Sequence, residues 1–113
     1  MAGLLRDVKA PQRQQISMAF KILDTAGTPT LSIGSQDGTI TDNGVGDYTV
    51  TFARAFEREP VVMATPMENG RMCNIFTVSA SSVRLKSWQA DGTTAEDASL
   101  AVLVTGWYAA DET

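Results

Sequence analysis

From Tyr48 to Phe52 the chain alternates apolar residues and threonines one for one, with Tyr48, Val50 and Phe52 set against Thr49 and Thr51. A period of two puts the first set on one face of a strand and the second on the other, a pattern that a helix cannot segregate. The same period recurs along the chain. Residues 12–24 are the one stretch that offers a helix candidate, yet Ile16, Met18, Phe20 and Ile22 alternate there. Leu31 and Ile33 alternate in 28–35, and Val83, Leu85 and Ser87 alternate with Arg84, Lys86 and Trp88. A Ser-rich turn joins "CNIFTVSA" (73–80) to "SVRLKSWQA" (82–90). After the loop "DGTTAEDA" comes a closing strand, "SLAVLVTGWY", rich in β-branched and aromatic residues. Asp37-Gly38 and Asn43-Gly44 are tight-turn dipeptides, and the second, between two strand-like runs, predicts a hairpin turn. Seven or eight short strands at this spacing predict an all-β fold, an antiparallel sandwich or barrel.

Residues 46–66, "GDYTVTFARAFEREPVVMATP", specify a corner of that fold. "YTVTF" is a strand, and "ARAFERE" is a polar connection carrying one apolar anchor, Phe56. "PVVMAT" reads as a buried strand, with Pro60 at its first position, where a missing N–H is tolerated. Phe52 and Phe56 are expected to cap one end of the core, and burying each contributes about 1.5–3 kcal/mol.

With 113 residues the chain supports one domain and one modest core. Hydrophobic residues make up 43% and charged residues 19%, which fits a globular chain and not a disordered one. There is no histidine, so the commonest general acid–base and the commonest zinc ligand are both missing. The single cysteine, Cys73, has no internal disulfide partner and reads as a small core residue. Residues 1–15 lack the apolar run of a signal peptide, and no segment is long and apolar enough for a membrane-spanning helix.

The net charge of −4 is unevenly spread. Residues 1–21 carry four basic residues and one acid, whereas residues 22–113 carry five basic and twelve acidic ones. Residues 1–15 are therefore expected to form an extended docking arm, and 16–113 a single sandwich domain. Pro11 biases residue 10 toward extended backbone. In this reading Leu4 and Leu5 are apolar anchors, and Arg6, Lys9 and Arg13 provide charge complementarity to an acidic partner, such as a neighbouring copy. The alternative is a solvated polar terminus whose charge is incidental.

Residue patterns for chemistry are sparse. "DNGVGD" lacks the spacing and the distant Glu of a calcium loop, and a hairpin turn accounts for it. Glu57, Glu59 and Glu68 read as surface acids and not as a glycosidase pair. Ser79, Ser81 and Ser82 have no histidine to activate them. The acidic body argues against nucleic-acid binding, which phosphate neutralisation drives. No catalytic, cofactor-binding or metal-ligating residue is assigned, no cofactor is implied, and an enzyme is not expected.

The order Phe52-x-x-x-Phe56-x-x-x-Pro60-x-Val62, followed by "NIFTVSASSVRLKSW" and "LVTGWYAADE", resembles small β-sandwich modules in tailed-bacteriophage virion proteins, namely head decoration proteins and tail-fibre tips. It is also similar, more loosely, to the H-type lectin domain. The resemblance covers residues 45–110. It implies a jelly-roll or H-type-lectin-like sandwich of six to eight strands that forms a homotrimer within a virion, after synthesis in the host cytoplasm. Two functions follow as expectations. The first is a structural protein that decorates or cements the capsid, or builds a short head fibre, with the major capsid protein or another virion protein as partner. The second is a tail-fibre module that binds a host-surface glycan, with Trp88 and Tyr108 as possible sugar contacts. A short chain starting at Met1, without a shaft segment, favours the first. Neither membrane nor nucleic acid is an expected partner.

Overall fold

The computed structural model describes residues 14–25, 27–32 and 37–109. Leu4, Leu5, Arg6, Lys9 and Arg13 lie outside the described residues, as does Ile33. Eight strands carry the described chain: β1 (Gln14–Thr25), β2 (Thr28–Ser32), β3 (Gly38–Gly44), β4 (Asp47–Phe52), β5 (Val61–Pro66), β6 (Arg71–Val78), β7 (Ser82–Gln89) and β8 (Leu100–Tyr108). They form two four-stranded antiparallel sheets packed as a sandwich. One sheet has the order β2-β1-β8-β5, the other β3-β4-β7-β6.

The period-two rows become the two inner faces. Met18, Phe20 and Ile22 of β1 and Leu100, Val102 and Val104 of β8 meet Tyr48, Val50 and Phe52 of β4 and Val83 and Leu85 of β7, all buried. The stretch that offered a helix candidate is a strand because β8 pairs with it from Gln14↔Tyr108 to Ile22↔Leu100. Gln14 and Gln15, counted with the arm on sequence grounds, already belong to this ladder. Ser87 ends the β7 row fully buried, and its hydroxyl donates to the Glu96 carbonyl at 2.6 Å.

Two local expectations are corrected. The hairpin between β3 and β4 turns at Val45-Gly46, not at Asn43-Gly44, since Gly44 already pairs with Asp47. Asn43 lies in the strand, where its amide donates to Thr49 Oγ1 at 2.7 Å and Asp47 Oδ1 at 3.3 Å. β5 is not a buried strand. It is a sheet edge, paired with β8 alone among the described residues, and Val61, Met63 and Thr65 face outward while Val62, Ala64 and Pro66 face in. A continuous apolar run bounded by prolines does not distinguish these cases.

The Phe corner closes one end as expected. The Phe52 and Phe56 rings meet edge-on at 5.3 Å and 87°, and Phe56 lies 5.3 Å from the Tyr108 ring. The Phe56 amide donates to the Ala80 carbonyl at 2.8 Å.

At the opposite end a polar cluster takes over. The Tyr48 hydroxyl donates to Asp24 Oδ2 at 2.5 Å and accepts from the Ala98 amide at 3.1 Å. Asp97 Oδ1 accepts from the Gly46 amide at 2.8 Å. Burial pushes the Asp24 carboxyl above its ordinary value; the Tyr48 bond opposes this, and the nearby Asp97 and Asp42 charges reinforce it. Asp24 Oδ1 is buried with no partner among the described residues. Burial and the bond to Asp24 raise the Tyr48 hydroxyl well beyond the usual phenol range, so it stays a donor.

A raised folded-state pKa means that the folded chain holds the Asp24 proton more tightly than the unfolded chain does. The stability linked to that proton is present at acid pH and is lost as pH rises through the folded value. Asp24→Asn keeps an acceptor for Tyr48 and cannot ionise. Its melting midpoint relative to wild type is therefore expected to rise between pH 4 and pH 7, followed by circular dichroism. A difference that stays flat or falls over this range would remove the account of Asp24.

Candidate interaction surface

The outward faces of the two sheets both mix polar and apolar residues, in different arrangements. On the β3-β4-β7-β6 sheet, Thr39 opposes Thr51, Thr41 opposes Thr49, and Thr49 opposes Arg84. Arg84 grips Asp47 with two bonds, Nε to Oδ1 at 2.9 Å and Nη2 to Oδ2 at 2.6 Å. That grip, with help from Asn43, holds the Asp47 carboxyl below the usual carboxylate range. A carboxylate fixed in this way is ionised at neutral pH and does not act as a general acid. Phe76, exposed at the β6 bulge, carries the Lys86 ammonium 3.9 Å and the Arg84 guanidinium 4.9 Å from its ring centroid. This face is mixed: Asp47, Arg84 and Lys86 are partnered locally, while Met72 and Phe76 of β6 are exposed on it at 45% and 50%.

The β2-β1-β8-β5 sheet carries an exposed apolar patch on the outer side of β8 and β5, flanked by polar residues. The register aligns Ala19, Leu103 and Met63 in one row, Ser17, Thr105 and Val61 in the next, and Lys21, Ala101 and Thr65 in a third. Val61 is 62% exposed, Met63 56%, Trp107 43% and Leu103 38%. The small side chains of Ala19 and Ala101 leave a groove of about 430 Å³ walled by Lys21, Met63, Thr65 and Leu103. A second hollow of about 220 Å³ lies at the far end, between Trp107, Val61, Gln15 and the segment Glu57–Glu59. One-sided antiparallel sheets commonly turn polar residues outward, and contiguous exposed apolar surface marks contact with something else.

Trp88 and Tyr108 are not brought together. Trp88 is half-buried at the end of β7, opposite Met72 of β6 and bridged to Ala95. Tyr108 ends β8 in the other sheet, at the Phe corner. Its ring is packed on Phe56, and the Arg54 guanidinium lies over it at 4.0 Å. The outward aromatic of that strand is Trp107. Val61, Met63 and Leu103 were not singled out as surface residues in the sequence. The available signal was that "VVM" and "LAVLV" are apolar at every position, so both faces of these strands are apolar.

Groups able to do covalent chemistry are weakly placed. Among the described residues no three of His, Cys, Asp and Glu converge on a metal-sized site. Burial pushes the half-buried Cys73 thiol up, away from the reactive thiolate. Asp91 is held at about 2 by the Thr93 and Thr94 amides and the Thr94 hydroxyl, as befits a loop-closing acceptor. No helix among the described residues is long and apolar enough to cross a membrane. Comparison with protein-family models, curated proteins and solved structures finds no match.

Proposed function

We propose that this chain is a structural module of a larger particle, of the kind that decorates or cements a tailed-phage capsid or builds a short head fibre. The observation that carries the reading is the exposed apolar patch of Val61, Met63, Leu103 and Trp107 on β5 and β8, bordering a groove over Ala19 and Ala101. The resemblance of residues 45–110 to phage virion modules supports it. So does a basic leading segment on an acidic body, with Leu4 and Leu5 as apolar anchors and Arg6, Lys9 and Arg13 as charged ones. The test is co-sedimentation of the purified chain with capsids assembled from the capsid protein of the same genome. Binding is expected to saturate at a fixed ratio, and to be lost on deletion of residues 2–12 while the sandwich stays folded. Arg6→Ala, Lys9→Ala and Arg13→Ala are each expected to weaken it mainly at low salt, since an exposed pair contributes only ~0.2–1 kcal/mol. Absence of co-sedimentation overturns the reading, and undiminished binding by the truncated chain moves the docking site to the acidic body.

One observation favours a second reading, a glycan-binding adhesion module. Phe76 and half-buried Trp88 share one sheet with Arg84 and Lys86, which lie over the Phe76 ring, and with Asp47, which Arg84 grips, an aromatic and polar combination suited to a sugar ring. Glycan-array binding that disappears in a folded Trp88→Ala variant would favour it over the first.

A further inference from the structure

We infer that the outer face of the β2-β1-β8-β5 sheet packs against the same face of a second copy of this chain. The inference rests on the structural-module reading and names its contact surface.

Three observations select a second copy as the occupant. The first is area. A face four strands wide at about 4.8 Å per strand, and about eight residues long at about 3.4 Å each, covers about 500 Å². Two such faces bury about 1,000 Å², the size at which a specific contact begins. The second is the arrangement of charge. Lys21 stands at one end of the face beside the groove, while the net-acidic segment Glu57, Arg58 and Glu59 borders the other end. A two-fold axis lying in the contact plane and crossing β8 near Leu103 carries Lys21 of each copy toward Glu59 of the other. The middle of the contact is then apolar on both sides, with Met63, Leu103 and Val61 filling the hollow over Ala19 and Ala101. Opposite charges at the two ends of one patch make that patch self-complementary, as a two-fold contact requires. The third concerns the sheet edge. Pro60 precedes β5 and Pro66 ends it. Proline removes backbone donors, so strand addition along this edge, which borders the face, is disfavoured.

The experiment is sedimentation equilibrium of the full chain over about 1 to 200 µM, a range that brackets the affinity of a contact this small. The expected result is a species of twice the chain mass that is lost in Met63→Asp and in Leu103→Asp. Met63 is the more exposed of the two, and keeps the test valid if Leu103→Asp unfolds. Lys21→Glu alone and Glu59→Lys alone are each expected to weaken the pair about tenfold or more, and the two combined to restore it. Melting midpoints establish that each variant is folded. A single mass throughout overturns the inference, as does a double mass that survives Met63→Asp, or a charge exchange that fails to restore association. A species of three chains, as the family resemblance implies, also overturns the two-fold contact. Association lost on removal of residues 2–12 with the face intact makes the leading segment the occupant instead. No capsid enters these measurements, so this inference and the capsid reading fail separately.

Discussion

Gly46→Ala is expected to lower stability by more than about 4 kcal/mol, read as a large drop in the urea midpoint and in the melting temperature of the sheet circular-dichroism signal. Gly46 has φ +62°, and an added Cβ there would lie 2.4 Å from the Ser87 carbonyl oxygen and 2.8 Å from that of Glu96. Both obstacles are backbone atoms, so no side-chain rotation relieves the clash. The left-handed conformation alone costs an alanine about 1–2 kcal/mol. Moving the turn breaks the bond from the Gly46 amide to Asp97 and the one from the Ser87 amide to the Gly46 carbonyl, each 2.8 Å. Buried bonds of this sort contribute about 0.5–1.5 kcal/mol each, and more when a partner is left unsatisfied. The expected loss is more than about 4 kcal/mol, against a total of about 5–15 kcal/mol for an ordinary domain and less for a small one. Gly70→Ala is the control. Gly70 also has a positive φ, +73°, but nothing lies within 4 Å of an added Cβ, so only the conformational cost remains. Equal stability of the two variants would contradict the steric account.

The displaced hairpin turn has the same origin. Asn43-Gly44 is the better local turn signal, but the constraint on Gly46 comes from Ser87 and Glu96, at least forty residues downstream. No local rule contains them. What was legible is what depends on neighbours within one strand: the alternation of Tyr48, Val50 and Phe52, that of Met18, Phe20 and Ile22, and the Phe corner. Sheet order was not legible, because pairing of β1 with β8 joins opposite ends of the described chain. Nor were the partners of the Tyr48 hydroxyl, Asp24 and Ala98, since the residue is apolar in pattern and polar only at its tip. The interaction surface was half legible. "VVM" and "LAVLV" show that both strand faces are apolar, but only the packed sandwich shows which face the core uses and which it leaves outside.

Phe56→Ala is expected to cost about 3–5 kcal/mol, measured by urea unfolding, although Phe56 belongs to no strand. The connection from Ala53 to Pro60 is largely polar and exposed, and Phe56, 4% exposed, anchors its middle into the end of the sandwich. Its ring closes on Phe52 and on Tyr108, each at 5.3 Å between centroids. Truncation leaves a cavity that those two rings fill only in part. β8 is shaped to receive the ring: a Cβ on Gly106 would stand 2.8 Å from Phe56 Cδ1 and 2.9 Å from Pro60 Cβ. Gly106→Ala alone is therefore destabilising, because it drives a methyl into an occupied site. In the Phe56→Ala background the same methyl enters vacated space, and only the Pro60 contact opposes it. The two substitutions are expected to couple, the double variant being more stable than the sum of the single losses allows. Strict additivity would mean that Gly106 is needed for some reason other than the ring. The Glu57 amide bonds the Trp107 carbonyl at 2.7 Å, one residue beyond this contact. Loosening Phe56 therefore also frees the Glu57–Glu59 end of the outer face, and weaker self-association is expected in Phe56→Ala at concentrations where it remains folded.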